Sequence, residues 1–301
     1  MSNPKISPTQ NIILAIDGSQ HATTAVQFIR GIPLPETCKI TAISVLIPRN
    51  AQNYAILKTL LDQTKTLFQE DGREIETHLL TGYPAEQIIQ FASKHNPDLL
   101  VLGAKGLRGT VRILLGGVAQ QVVEYASCPV LIVRSPYTGT QRVLFATDGS
   151  EHSAYVVQHL EICPLPANAK ITVIHVLPPE MTADMLSRSW PYGIDVMPPI
   201  VSSEIDQAFT NQLKEEEARG VDLLEQTLDD LAEMKIKTDS ILRRGDAASQ
   251  ILEVAQSKQI DLIIVGSRGL NQIRSWFLGS VSSKLTHYAD CSVLVVKKPA
   301  S

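Results

Sequence analysis

An internal duplication constrains the fold more than any other feature of this sequence. The segment that begins at Asn11 is repeated, with many identical residues, in the segment that begins at Arg142. Asp17 corresponds to Asp148 at an offset of 131 residues, and from Gly82 onward the offset is 163 residues, so the second copy holds 32 additional residues. Solenoid repeats span only about 20–45 residues, so each copy is expected to be a domain.

The duplication predicts two domains, at residues 1–136 and 141–301. The stretch SPYTGTQ (135–141) contains the Pro, Gly and Thr residues that suit a short linker. The additional residues of the second copy fall within about 178–235. A chain of 301 residues is long enough for two domains of about 150 residues each.

Each copy alternates short apolar strands with helical patterns. In the first copy the strand patterns are NIILAID, KITAISVLI, IETHLL, DLLVLG and PVLIVRS. The helical patterns are HATTAVQFIRGI, about 55–72, PAEQIIQFASKH and about 115–126. Nearly continuous apolar strands separated by helices predict a parallel sheet with helices on both faces, which is an α/β fold.

Ligands of such folds bind outside the carboxyl ends of the strands, at a topological switch point. The informative residues should therefore follow strands directly. Asp17 and Asp148 follow the first strand of their copies, and glycine-rich stretches follow the fourth strand. The sequence therefore predicts a ligand site at this end of each sheet.

The glycine-rich stretch of the second copy reads Gly266-x-x-Gly269, nine residues, then Gly279-Ser280. It is neither a P-loop nor a GxGxxG dinucleotide motif. Glycine permits positive φ and close backbone approach, so we expect Gly266 and Gly269 to form an anion-binding nest. Gly279 and Ser280 open a helix whose free N–H groups and dipole favour a phosphate. The alternative is a plain loop with incidental glycines, which the repetition of the pattern in the first copy disfavours.

With the aspartate after strand one, this pattern resembles the universal stress protein family. The resemblance covers nearly the whole chain, twice, apart from about residues 180–215. It implies two Rossmann-like domains of the adenine nucleotide alpha hydrolase-like type, each with a five-stranded parallel sheet. It also implies ATP or another adenine nucleotide at the strand ends, with Mg²⁺ accompanying ATP, and pairing of the domains through their last strands.

The resemblance assigns the site of the second domain residue by residue. It places Asp148 at the adenine and ribose end and the backbone of Val176 against the base. Arg268 adds charge near the phosphates, the alternative being an exposed loop arginine. The implied phosphate cradle consists of Gly266, Gly269, Gly279, Ser280, Val281 and Ser282.

The first domain departs from the pattern at its phosphate end. Gly117 stands where the motif has Ser280, and Ala119 replaces Ser282. A lost hydrogen bond to a charged partner costs about 1.5–3 kcal/mol, which is tenfold or more in affinity. We therefore expect a weaker or empty site, with Lys105 as partial compensation. The implied site consists of Asp17, Val45, Gly103, Lys105, Gly106, Gly116 and Gly117.

Composition narrows the classes of partner. A net charge of −4 at pH 7 disfavours a sequence-independent nucleic-acid binder. No apolar run approaches the roughly 18 residues of a membrane helix, and the N-terminus has no signal-peptide pattern, so we expect a cytoplasmic protein without a membrane partner. The four cysteines form no CxxC motif, and reduced, mostly buried thiols are expected.

Histidine and serine side chains near the two aspartates suggest no further chemistry. His21 and His152 lack metal-ligand spacing, so we expect them to cap helices or lie at the surface. Ser19 and Ser150 lack a nucleophile motif, so we expect them to cap the first helix of each copy. We therefore predict neither a metal site nor a catalytic residue.

The insertion in the second copy has two parts. The first is rich in Pro, Met and aromatic residues, and the second predicts an acidic amphipathic helix. We expect the apolar stripe of that helix to pack on the sheet; the stripe consists of Val221, Leu224, Leu228 and Leu231. An alternative role for the first part is that Trp190 and Tyr192 cover a nucleotide site or a neighbouring subunit.

The leading functional hypothesis is a nucleotide-binding stress or signalling protein that acts through nucleotide-dependent stability or assembly. No residue of the motif is placed as a general base, and no Walker-type magnesium ligand is recognisable. Two alternatives stay open: a slow ATPase or phosphotransferase, and an interaction module with vestigial sites. The two copies should form an internal pseudo-dimer, and the sequence leaves open whether a homodimer of two chains forms as well.

Overall fold

The computed structural model describes residues 11–107, 114–137, 139–163, 165–166, 168–180, 202–234, 236–269 and 278–298. The first domain contains, in order, β1 (Asn11–Ala15), α1 (Gln20–Arg30), β2 (Lys39–Leu46), a 3₁₀ turn (Pro48–Asn53), α2 (Tyr54–Glu70), β3 (Ile75–Thr81), α3 (Pro84–His95), β4 (Leu99–Gly103), α4 (Gly117–Tyr125) and β5 (Val130–Val133). The predicted strands and helices of this copy are all present, in the predicted order.

The second domain repeats this order with one longer helix. Its elements are β6 (Arg142–Ala146), α5 (Glu151–Ile162), β7 (Lys170–Leu177), α6 (Ser202–Ala232), β8 (Lys237–Arg244), α7 (Ala247–Ser257), β9 (Leu262–Gly266), α8 (Ser280–Tyr288) and β10 (Ser292–Val296). Helix α6 occupies the place of α2 and includes the second part of the insertion.

The ten strands form one continuous sheet. Within each domain the five strands are parallel, as predicted, and they follow the order β3-β2-β1-β4-β5 or β8-β7-β6-β9-β10. Strands β5 and β10 pair antiparallel, with Leu131 opposite Leu294, and join the two halves. Each domain therefore covers the open edge of the other, which is the pairing that the family resemblance implied.

Helices cover both faces of the sheet because the strands are apolar on both sides. One face packs against α1, α2, α5 and α6, where Phe28, Phe68 and Leu231 are buried. The other face packs against α3, α4, α7 and α8, where Val122 and Leu285 are buried. This packing leaves the carboxyl ends of the strands accessible for a ligand site.

Helix α6 carries most of its predicted apolar stripe to the core. Leu224 and Leu231 are buried, and Leu228 is partly buried against the core, as expected. The prediction was wrong for Val221, which is 43% exposed. At about 100° per residue Val221 lies at the edge of the stripe. Its neighbour Gly220 makes the close approach to the sheet, since a Cβ there would lie 2.9 Å from a Leu242 methyl carbon. Residues 181–200, with Trp190 and Tyr192, lie outside the described residues.

The cysteines fit the expectation of reduced, mostly buried thiols. Cys38, Cys128 and Cys163 are buried, Cys291 is partly buried, and all four are free. Burial raises the pKa of the Cys128 thiol to about 11 and that of the Cys291 thiol to about 12. In the part of the chain that the structure describes, no helix is both long enough and apolar enough to cross a bilayer.

Candidate functional site

The aspartate after strand one meets the glycine-rich loop after strand four in each domain. β1 lies between β2 and β4, so the chain changes direction across the sheet at this point, as predicted for a ligand site. In the first domain the Asp17 carboxylate accepts hydrogen bonds from Ser19 N–H (2.9 Å) and Leu107 N–H (3.2 Å). In the second, Asp148 accepts one from Ser150 N–H (3.0 Å).

The glycines of this loop are required by close contacts. A Cβ on Gly106 would lie 2.7 Å from Asp17 Oδ2, and a Cβ on Gly269 would lie 2.5 Å from Asp148 Oδ2. Contacts under 3.0 Å are essentially never made by a real Cβ, so only glycine lets the carboxylate reach the loop backbone.

The first glycine of each pair makes a different contact, with a helix. A Cβ on Gly103 would lie 2.7 Å from His21 C, and a Cβ on Gly266 would lie 2.9 Å from His152 C. Gly103 and Gly266 thus allow the first turn of α1 or α5 to pack on the strand end.

Of the two properties that glycine offers, the loop glycines use close backbone approach and not positive φ. Next to the clefts, positive φ occurs at Gly18 (82°) and Gly149 (75°), directly after the two aspartates. Positive φ is the conformation that most favours glycine, so it is the Asp-Gly-Ser turn that requires glycine for its backbone conformation. The Asp-Gly-Ser sequence occurs in both copies, but the repetition alone does not indicate the backbone conformation of its glycine.

Ser19 and Ser150 cap helices α1 and α5, as predicted. Each hydroxyl accepts a hydrogen bond from the backbone N–H three residues later. Each also donates to the glycine-rich loop, Ser19 to Lys105 O (3.0 Å) and Ser150 to Arg268 O (3.4 Å). One hydroxyl therefore fixes both the helix start and the loop.

The N-cap residues of helices α4 and α8 are the glycines Gly116 and Gly279, which provide no side-chain cap. The N–H of Gly116 donates to Ala104 O and the N–H of Gly279 donates to Ser267 O, both at 2.8 Å, so these two N–H groups are occupied. The first intrahelical bond of α8 runs from Ser283 N–H to Gly279 O. The N–H groups between these two residues therefore form the free helix end that attracts anions.

The two serines of the predicted cradle differ in their surroundings. Ser280 is exposed at the start of α8. Ser282 is buried, and its hydroxyl donates to Gly266 O at 2.7 Å, which holds the strand end against the helix. At the position of Ser280 the first domain has Gly117, where a Cβ would meet nothing within 4 Å. Packing therefore does not require this glycine.

A cleft in each domain collects all the residues that the sequence predicted. The second-domain cleft has a volume of about 330 Å³ and is lined by all nine predicted residues. The first-domain cleft has a volume of about 510 Å³ and is lined by all seven. The clefts also have apolar walls that the sequence did not predict, which include Ile174 and Ile251 in the second domain and Ile43 and Ile88 in the first.

The two histidines near the loops are half-buried instead of capping their helices or lying free at the surface. His21 Nδ1 accepts a hydrogen bond from Ser135 N–H (3.0 Å), and His152 Nδ1 lies 3.5 Å from the Ser267 hydroxyl. Burial lowers the pKa of both rings, and so does a nearby cation, Lys105 or Arg268. Within the described ranges no group of three or more His, Cys, Asp and Glu side chains is arranged to hold a metal.

Comparison with known proteins adds a family to this geometry. The model of the universal stress protein family matches residues 8–134 and again 139–297. A universal stress protein of Methanocaldococcus jannaschii is 36% identical over 126 residues, which cover 42% of this chain and 71% of that protein.

Solved structures resemble the chain in fold. A universal stress protein from Archaeoglobus fulgidus matches with a TM-score of 0.63 at 17% identity, covering 96% of this chain and 98% of that one. A universal stress protein solved in complex with cAMP is 29% identical and matches all of its own length and 43% of this chain, with a TM-score of 0.34. The first match extends over both domains and supports the tandem architecture.

Proposed function

The chain belongs to the universal stress protein family, and we propose that its second-domain cleft binds an adenine nucleotide with the phosphates at the start of α8. One observation carries the proposal: the exposed Ser280 hydroxyl and the free helix end lie in one cleft with Arg268. Backbone N–H groups, a hydroxyl and a guanidinium together supply the donors that a phosphate chain needs.

The opposite end of the cleft suits a nucleoside. Ile174, Val176 and Ile251 provide apolar walls for a base. Among the described residues, Ser150 N–H is the one donor to the Asp148 carboxylate, and a carboxylate offers about four lone-pair sites, so it retains capacity for ribose hydroxyls. The choice of adenine follows from the family resemblance given by the motif.

ATP is the adenine nucleotide that we propose, with Mg²⁺ arriving on its phosphates. Binding to the folded state alone stabilises a protein by RT ln(1 + [L]/Kd), which is about 2.7 kcal/mol at a hundredfold excess over Kd. Nucleotide level would thereby control the stability or assembly of the chain, which is the proposed role in stress response or signalling. The four free cysteines fit the reducing cytoplasm as its location.

A matched pair of substitutions tests the proposal. Ser280→Asp places a carboxylate where the phosphates are proposed to lie, and Gly117→Asp makes the same change at the equivalent exposed position of the other cleft. Acidic residues are favourable in the first turn of a helix, so both variants should fold.

Calorimetric titration with ATP, AMP and cAMP reads out the result; cAMP is included because a matched protein was solved with it. We expect Ser280→Asp to weaken ATP binding at least tenfold and Gly117→Asp to leave the tighter ATP site unchanged. Equal ATP affinity of Ser280→Asp and the wild-type chain would refute the proposal.

A further inference from the structure

The first-domain cleft differs from its counterpart in shape. Its volume is about 510 Å³, against about 330 Å³ in the second domain. The 3₁₀ turn (Pro48–Asn53) and the start of α2 extend its wall, where Asn50, Asn53 and Leu57 line the cleft; the segment at the same place in the second domain (181–201) lies outside the described residues. This turn follows β2 directly, so the extension lies at the Val45 end of the cleft. Small-molecule sites have volumes of about 300–1,000 Å³, which both clefts satisfy.

Two amides in this extension are not used by the fold. Asn53 stands at the N-cap of α2 but its side chain makes no capping hydrogen bond. Asn50 and Asn53 are both only partly exposed. In the described structure, no hydrogen bond of either side chain holds the turn together. Two amides at the wall of a cleft, each with a donor and an acceptor group, are suited to read the polar edge of a bound molecule.

The phosphate end of the first-domain cleft has a cation, Lys105, but lacks the two hydroxyl groups of the second-domain cradle. Gly117 takes the place of Ser280, whose hydroxyl is exposed in the second-domain cleft, and Ala119 takes the place of Ser282, whose hydroxyl donates to Gly266 O. Leu107 and Val118 line the same end and are 68% and 38% exposed. A phosphate chain lying against these side chains would lose hydration without gaining hydroxyl partners, which is unfavourable.

The opposite end keeps the residues that the second domain offers to a nucleoside. Asp17 and Val45 line the cleft where Asp148 and Val176 do in the second domain. Asp17 also binds Leu107 N–H, so the carboxylate is held in place at the mouth of the loop.

We propose that the first-domain cleft is a site for an uncharged nucleoside, recognised through Asp17 and the Asn50 and Asn53 amides, and that it discriminates against the triphosphate. The proposal rests on the proposed function in one respect, the assignment of the Asp–Val end to the nucleoside. The chain then carries two ligands of different charge, one in each half of a continuous sheet.

Adenosine is the probe that tests this proposal, titrated into the full chain by calorimetry. The double variant Asn50→Ala/Asn53→Ala removes both amides, and each single variant is measured beside it. Gln52→Ala is the matched control, because Gln52 is an exposed amide of the same turn outside the cleft lining. Melting temperatures establish that the variants are folded.

We expect the double variant to weaken adenosine binding at least fivefold, and Gln52→Ala to leave it within twofold of the wild type. A competition experiment in the Ser280→Asp variant uses labelled adenosine bound to the first cleft. We expect ATP to displace the label at least tenfold less effectively than unlabelled adenosine does. No adenosine binding to the wild type, or equal affinity in the folded amide variants, would overturn the proposal.

The two proposals fail separately. Loss of the ATP result with an intact amide dependence for adenosine would refute the second-domain nucleotide site alone. Normal ATP binding with no amide-dependent adenosine binding would refute the first-domain nucleoside site alone.

Discussion

The glycines near the two clefts differ in whether the structure requires them, and in the reason. Gly18 and Gly149 adopt positive φ. Gly106 and Gly269 have no room for a Cβ beside an aspartate. Gly117 has open space around it and is the one that distinguishes the two clefts.

Gly269→Ala should therefore be costly although the side chain added is small. Its Cβ would lie 2.5 Å from Asp148 Oδ2, so the aspartate or the loop has to move. Overpacking of this kind costs about 1–3 kcal/mol, and we expect a loss of that size in the free energy of unfolding together with weaker ATP binding. Gly117→Ala is the control and should unfold at the wild-type denaturant concentration. Equal stability of the two variants would show that the Asp148 contact is unimportant.

His159 predicts a pH dependence of stability. Burial lowers the pKa of its imidazole to about 4, from an ordinary value of 6.5. Its Nε2 has no hydrogen-bond partner in the structure as described. Below pH 6.5 the unfolded chain takes up a proton on this ring and the folded chain does not, so the free energy of unfolding falls as the pH drops from 6.5 to about 4.

His159→Phe tests this contribution, because Phe28 occupies the equivalent position of the first copy. Between pH 6.5 and 4, the free energy of unfolding should fall less in the variant than in the wild type, by up to about 3 kcal/mol. Denaturant unfolding at several pH values measures the difference. Parallel stability curves for the two proteins would contradict the burial argument.

The sequence located the site residues but not the reason for their spacing. Aspartate and glycine patterns were visible because they repeat between the copies. The contact between Gly269 and Asp148 was not visible, because it joins residues far apart in sequence. For the same reason the sequence did not show that the Ser282 hydroxyl donates to Gly266 O.

At the scale of elements, periodicity predicted the order and type of the strands and helices. Apolar runs between helical patterns are a strong signal when a sheet is covered on both faces. Helix α6 shows where the signal ends, since Val221 fits the stripe by spacing and is still exposed. Gly220, next to it, lies so close to the sheet that a Cβ would meet Leu242, and a one-dimensional pattern does not contain this contact.

Two truncations on α6 measure its orientation on the sheet. Leu231 is completely buried, and Leu231→Ala should lower the free energy of unfolding by about 2–5 kcal/mol. Val221→Ala removes an exposed side chain from the same stripe and should change it by less than about 0.5 kcal/mol. The ratio of the two effects, from denaturant unfolding, is the result that matters. A larger loss for Val221→Ala would mean that the helix packs on its other face.

For the whole molecule, the two halves hold each other through reciprocal cation contacts beside the β5–β10 pairing. Arg134 of the first domain donates to Thr286 O at the end of α8, at 2.7 Å. Lys297, its counterpart in the second domain, donates to Ala126 O at the end of α4, at 2.5 Å. Cations are favourable at helix C-termini, where carbonyl groups are unpaired.

Arg134 also donates to Leu114 O, just before the helix start in the first cleft. The same guanidinium thus contacts the segment before α4, which leads into the first-domain cleft, and the C-terminal end of α8, whose N-terminal end lies in the second-domain cleft. These contacts between domains were beyond the sequence, which indicated only that two copies would pair.

The central claim is that one cleft of this chain is a site for an adenine nucleotide and that Ser280 helps to hold its phosphates. The nucleotide content of the purified full chain tests it most directly: the protein is denatured, the released small molecules are separated, and adenine nucleotide per chain is quantified beside Ser280→Asp and Gly117→Asp. We predict one ATP per chain in the wild type and in Gly117→Asp, and none in Ser280→Asp. A wild-type chain without nucleotide that also fails to bind added ATP, or a Ser280→Asp variant that retains it fully, would contradict the account.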